Sequence, residues 1–376
     1  MVLMKLLDEF HGIRDDPYTY GKKLKAERNR KIIGYFCSYT PEEIIYAAGI
    51  HPMRLFGAQG EITLADTHFQ AYCCSLVRGA LEGALKGKLN FLDGTVFPHT
   101  CDSIQRLSDV WRLNTSFGFF ADVVLPVKLN SESARRYMTD VLSKFRNNLE
   151  KGFGRRIEDQ HLRKAIDTYN HIRTYLEQIY SLHSENPHII SGSDVYAIVR
   201  ASMIMDRDDL LDKLPAVVEG IKRGDTDADN GTKKRILLVG GICNHPDVYR
   251  ILEKSGGSVI WDDLCTGSRY FSGIIDNSGD PVESLANRYM ERPVCPAKHL
   301  SVKSRGEHLV NLVKEKEADG VIFLLLKFCD PHAFDYPHMK EYCNRQGIPC
   351  MVLEIEDRLP TEGQLLTRFE TFMHML

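Results

Sequence analysis

Three of the chain's ten cysteines stand where a protein usually does chemistry. Cys329 follows the apolar run Val321 to Leu326, which reads as a buried parallel strand, and open α/β sheets bind ligands at the carboxyl ends of such strands. Cys101 holds the equivalent place in the first half, after the short strand Asp93 to Phe97. Each is followed by an aspartate, Asp102 and Asp330. Cys74 falls within a helical pattern running from Asp66 to Leu85. Three thiolates converging from two halves of a chain would suit an iron-sulfur cubane, leaving one iron open to a substrate oxygen. Spacing alone keeps two other readings standing. The thiols could be buried and inert, as cysteines commonly are, or zinc could draw on Cys329, His332, His338 and Cys343.

Other residues carry weaker signals. Cys265 follows Asp262-Asp263-Leu264, and Cys295 sits in Arg292-Pro-Val-Cys-Pro296; these two could hold further iron or simply pack. Cys37 follows the first strand, Cys243 follows a glycine turn, and Cys343 and Cys350 read as packing residues. The run Gly240-Gly-Ile-Cys-Asn-His-Pro246 is a strand end, a glycine turn and a helix start, whose amides could receive a phosphate or another anion. It lacks the G-x-G-x-x-G and Walker patterns, so an ordinary tight βα turn explains it equally. Glu42 and Glu43, at a helix start, and Arg368 and Gln364, on the first turns of the last helix, could bind substrate or move a proton. Caps and surface charges are the competing reading, as they are for Glu354, Glu356 and Asp357.

The elements that must position these residues alternate strand and helix along both halves. Lys31–Phe36, His51–Phe56, Asp93–Phe97 and Ala121–Pro126 read as strands in the first half. Arg235–Gly241, Ser258–Trp261, the run from Val321 and Cys350–Glu354 do so in the second. Strands separated by helices of this length mean right-handed parallel units. From Ser131 to about Leu182 the pattern is helical and charged, and a helix over Asp208–Lys222 should kink or restart at Pro215. The polar run Gly224 to Lys234 reads as a loop. A chain of 376 residues is too long for one ordinary core. The expected division is residues 1–190, an α/β domain with a helical extension, and 191–376, a second α/β domain.

A hydrophobic fraction of 43%, a charged fraction of 26% and a net charge of -3 describe a soluble globular chain with no bias toward nucleic acid or membrane. No apolar run reaches the length of a membrane span. Lys5, Asp8 and Glu9 spoil a signal-peptide core in the N-terminal amphipathic helix, so the expected location is cytoplasmic. Thiols, metal ligands or catalytic groups are then the expected state of the cysteines, not disulfides.

Five ordered blocks carry a family likeness: Tyr39-Thr-Pro-Glu-Glu-Ile-Ile-Tyr-Ala-Ala-Gly-Ile-His-Pro52, Phe69-Gln-Ala-Tyr-Cys-Cys74-Ser-Leu-Val-Arg78, Phe97-Pro-His-Thr-Cys101-Asp102, the stretch Gly320 to Pro331, and Gly363-Gln-Leu-Leu-Thr-Arg368. Together they resemble the 2-hydroxyacyl-CoA dehydratase and benzoyl-CoA reductase family over nearly the whole chain, closest to its smaller, D-component-like subunit. The resemblance implies two flavodoxin-like doubly wound domains with a 4Fe-4S cluster between them. It also implies Cys74, in preference to Cys73, together with Cys101 and Cys329 as ligands. The activity it implies is dehydration of an (R)-2-hydroxyacyl-CoA to a 2-enoyl-CoA through one-electron reduction of the thioester to a ketyl radical. The electron would come from a separate ATP-hydrolysing iron-sulfur activator, and the partner would be a homologous subunit or a second copy. Reduction of aromatic acyl-CoA thioesters is the alternative within the family. An 8Fe-9S double cubane is a further one, for which Cys265 and Cys295 would supply extra thiols; a non-catalytic electron-transfer protein is a reading of a different class.

Overall fold

The computed structural model of the chain describes residues 2–57, 60–226, 233–301, 303–356 and 358–376. Two four-stranded parallel sheets organise it. The first contains β1 (Ile32–Tyr35), β2 (His51–Arg54), β3 (Gly94–Pro98) and β4 (Phe119–Val123) in the order β2-β1-β3-β4. The second contains β5 (Lys234–Gly240), β6 (Gly257–Asp263), β7 (Gly320–Leu326) and β8 (Cys350–Ile355) in the order β6-β5-β7-β8. The same doubly wound order thus occurs twice, once within residues 32–123 and once within residues 234–355. Every residue of β1, β3, β6 and β7 is buried. Burial on both faces favours apolar residues along a strand, which is why β7 reads as an unbroken run instead of an alternating one.

Several elements depart from the sequence reading, each for a local reason. Helix continuity from Asp66 fails, because Glu82 reaches back to accept from Ala65 N at 2.8 Å and Thr63 Oγ1 at 3.0 Å. That anchors a separate short turn, Ala65–Thr67, and the helix proper begins only at Ser75. The charged region after Ser131 is two helices, Glu132–Phe153 and Asp159–Glu185, broken where Gly154 turns left-handed at φ 64°. Helix Arg207–Lys222 runs through Pro215 without restarting. Strand β4 begins two residues earlier than expected, since its register is set by pairing Gly94 with Phe119. Of the polar run Gly224 to Lys234, residues 227–232 lie outside the described residues, as does Asp357.

Two N-terminal helices, Val2–Asp15 and Pro17–Arg28, complete the first half. The first buries Leu3, Leu7, Phe10 and Ile13 on one face, the period of an amphipathic helix. It packs on helices Gly192–Ser202 and Arg207–Lys222.

The close approach of β5 to β7 gives a direct test. Gly240 pairs with Leu324, and a Cβ on Gly240 would sit 2.1 Å from the Leu324 carbonyl oxygen. Gly240→Ala is expected to cost about 3 kcal/mol in urea unfolding, whereas Gly363→Ala, with open space around its Cβ position, is expected to be near neutral.

Candidate metal centre at the facing sheet edges

The carboxyl ends of the two sheets face one another. Arg54, the last residue of β2, donates from Nη1 to the carbonyl of Cys265, just beyond β6, at 2.6 Å. Two groups of cysteines gather along this seam.

Cys74, Cys101 and Cys329 each occupy the N-cap of a helix, Ser75–Leu85, Asp102–Asn114 and Asp330–Arg345 respectively. A helix start leaves backbone amides without intrahelical partners and carries a partial positive charge, both of which favour a thiolate. The amides of Val77 and Leu76 favour the Cys74 thiolate, those of Ile104 and Ser103 that of Cys101, and that of His332 the thiolate of Cys329. Burial works the other way and wins. It pushes Cys74 up to about 11 and Cys101 up to about 12, and carries Cys329 well above the usual thiol range. Mutual repulsion adds to this: Cys329 feels charge on Cys74 and Cys101, and Cys101 feels Cys74. Three thiols within electrostatic reach of one another that resist ionisation on their own would suit a cationic metal centre.

A second group lies alongside. One ligand atom each of Cys265, Cys295 and His332 lies within 4.8 Å of the others, and all three residues are buried. Cys265 comes from the end of β6, Cys295 from the segment after helix Pro281–Glu291, and His332 from the first turn of the helix that Cys329 caps. Cys295 shares its proton with Cys265. Arg269 and His332 further favour the Cys265 thiolate against its burial, so Cys265 is held well below the usual thiol range and Cys295 is pushed up. The Arg269 Nη2 stands 3.5 Å from Cys265 Sγ. Burial lowers the pKa of His332 and so keeps its ring neutral, the form that ligates metals. The two groups are in electrostatic contact, since Cys329 feels Cys265 and both Cys101 and Cys295 feel Cys37.

Beside Cys101 opens a cavity of about 450 Å³. Asp102, Ser103, Lys298, Arg305, Asp330 and His338 are among its lining residues. Arg305 is fixed by Asp263 at 3.0 Å and Asp335 at 2.7 Å. Lys298 donates to the Leu125 carbonyl at 3.0 Å, and its burial lowers its pKa. Lys298 and Arg305 were not legible as site residues, because a single lysine or arginine in a loop or helix start has no distinguishing spacing.

The remaining sequence candidates have other engagements. Glu42 pairs with Arg207 at 2.7 Å and Glu43 pairs with Arg173, all four residues being buried. Neither glutamate lines the cavity beside Cys101. Gln364 accepts from the Thr361 amide at 3.1 Å while the Thr361 hydroxyl accepts from the Gln364 amide, a reciprocal cap. Arg368 is exposed and donates to the Val352 carbonyl at 2.8 Å. His338 lies on the cavity wall, whereas Cys343 packs beside Cys350, so the four zinc candidates are not gathered into one group.

A family described as 2-hydroxyglutaryl-CoA dehydratase, D-component, matches residues 37–376. The chain is 30% identical over 372 residues to the (R)-phenyllactyl-CoA dehydratase beta subunit of Clostridium sporogenes, covering 99% of each chain. It is 29% identical over 346 residues to a benzoyl-CoA reductase subunit of Thauera aromatica, covering 89% of this chain and 88% of the other. With the beta subunit of (R)-2-hydroxyglutaryl-CoA dehydratase of Acidaminococcus fermentans it shares 26% identity over the whole of both chains. Whole-length matches and the family profile together establish that the chain belongs to the family of 2-hydroxyacyl-CoA dehydratase and benzoyl-CoA reductase subunits.

Proposed function

We propose that this chain holds a 4Fe-4S cluster through Cys74, Cys101 and Cys329 and serves as a subunit of an enzyme that dehydrates an (R)-2-hydroxyacyl-CoA to a 2-enoyl-CoA. The observation that carries the reading is that three helix-capping thiols from the two halves of the chain lie within electrostatic reach of one another, with Cys101 on the wall of a cavity. When bound, such a cluster supplies a low-potential electron to the thioester carbonyl, which loosens both the 2-hydroxyl and the 3-hydrogen.

The chain's own residues set the conditions. Backbone amides at three helix starts favour the ligand thiolates, and hydrogen bonds of this kind are among the factors that set a cluster's potential. Lys298 stands at a buried position on the cavity wall, suited to an acyl oxygen that gains negative charge. Asp102, Asp330 and His338, exposed on the same wall, are the groups placed to hold or move a proton. A homologous subunit or second copy, and a separate ATP-hydrolysing activator, complete the system on this reading. The relatives named as beta subunits support the first of these.

The test is turnover by the anaerobically reconstituted chain with its partner and activator. Release of a 2-enoyl-CoA from an (R)-2-hydroxyacyl-CoA is the expected result; consumption of an aromatic thioester alone would sink the dehydratase assignment in favour of a benzoyl-CoA-type reductase.

A second reading is favoured by the adjoining thiols. Cys37, Cys265 and Cys295 lie within electrostatic reach of one another or of the first group, as a double cubane would require. Iron analysis separates the two: about four irons per chain for the single cubane and about eight for the double one. On the double-cubane reading, Cys265→Ser should remove about half of the iron.

A further inference from the structure

A second cavity, of about 260 Å³, opens where residues following β2 meet those following β5. Its wall includes Phe56, Arg200 and Asn244, with Arg14, Tyr18 and Lys88 closing it. Phe56, just beyond β2, and Asn244, just beyond β5, place it at the carboxyl edges of both sheets, the usual binding crevice of doubly wound folds.

Several buried donor atoms of the wall have no partner among the described residues. Arg200 is 5% exposed, and its guanidinium lies 3.3 Å from the centre of the Phe56 ring. Its Nη1 donates to Asn244 Oδ1 at 2.9 Å, while its buried Nε has no partner among the described residues. Arg14 Nη1 and the Tyr18 hydroxyl are likewise buried without partners among the described residues. Behind Phe56, Arg54 is fully buried, with its Nε and Nη2 also unpartnered among the described residues.

Charge follows the same pattern. Among the described residues neither Arg54 nor Arg200 has a carboxylate within 4.0 Å. Burial and the nearby charges of Arg54 and Arg14 lower the pKa of Arg200. Two carboxylates do reach the cavity, but both are engaged: Asp15 by Arg14 at 2.8 Å, and Asp16 by the Thr19 amide at 3.1 Å. Buried cations and donors without acceptors are costly unless something completes them.

We infer that this cavity is an oxyanion site of the phosphate class, with Arg200, Arg14 and Tyr18 as its donors and Lys88 at its mouth. The chemistry fits each side of the wall: guanidinium and phenol donors match tetrahedral oxyanion acceptors, and the turn running from Gly240 to Pro246 contributes Asn244 as the clamp on Arg200. The phosphate would be free inorganic phosphate or, resting on the acyl-CoA reading above, a phosphate of the CoA moiety.

The experiment measures binding of inorganic phosphate and of CoA to the full chain by calorimetry, for the wild type, Arg200→Gln and Lys88→Ala. The expected result is saturable phosphate binding to the wild type, weakened at least about tenfold in Arg200→Gln and by a smaller factor in Lys88→Ala. If CoA binding weakens in parallel and phosphate competes with it, the phosphate is that of CoA. If only phosphate binding weakens, the ligand is the free ion. Lys88 is exposed, so its variant decides the matter should Arg200→Gln fail to fold. Absence of saturable phosphate and CoA binding to the wild type, or unchanged affinity in the folded variants, overturns the site. Phosphate binding needs no iron, so its failure is distinct from failure of the cluster assignment.

Discussion

Cys329→Ala is expected to bring the iron of the reconstituted chain from about four atoms per chain to near zero, while Cys350→Ala keeps the wild-type content. Cys329 is the second sheet's contribution to the first thiol group, and the other two members, Cys74 and Cys101, come from the first half of the chain. Removing it leaves two thiols whose pKa values burial raises to about 11 and about 12, so both stay protonated at neutral pH. Two such ligands cannot replace the charge and geometry of three. The control is informative because Cys350 begins β8, at the edge of the sheet away from the seam. Full iron retention in Cys329→Ala would refute the ligand assignment.

Arg207→Ala is expected to destabilise the chain by about 3–5 kcal/mol, read as a lowered urea midpoint. Arg207 is fully buried and donates to Glu42 at 2.7 Å, to the Tyr169 hydroxyl at 2.9 Å, to the Ser202 carbonyl at 3.0 Å and to the Pro52 carbonyl at 3.1 Å. It thereby ties β2, the helix start at Glu42 and the long helix Asp159–Glu185 to the segment that leads toward the second sheet. Its loss strands the Glu42 carboxylate in the interior. Pairing it with Glu42→Gln should recover part of the loss, since no unpaired charge then remains. Neighbouring Glu43 adds a pH dependence. Burial opposes its charge, but Arg173 and Arg288 outweigh burial and hold its pKa below the ordinary glutamate value. Its contribution is therefore complete above that ordinary value and is lost as pH falls through the depressed folded one. An acid transition insensitive to Glu43→Gln would contradict the pair's role.

Strand runs and strand-end thiols were plain in the sequence because burial on both faces leaves unbroken apolar stretches such as Val321 to Leu326. What the pattern could not supply was local capping chemistry. Cys74 looked helical because the residues around it keep a helical period, yet it caps the helix; the cause of the departure is the bond from the Ala65 amide to Glu82, which periodicity does not reveal. Glu42 and Glu43 looked available because a helix start is a common place for an acid; their arginine partners lie more than a hundred residues away in sequence. Cys265 and Cys295 were legible as spare thiols, but their meeting with His332 depends on three separate elements converging. Of the second cavity only the glycine turn was visible, since its donors come from helices far apart in the chain.

The central claim is that thiols from both sheets hold iron at the seam between them. Iron and acid-labile sulfide counted on the anaerobically reconstituted wild-type chain test it most directly. About four of each per chain are expected; a colourless chain that takes up neither would contradict iron binding at the seam.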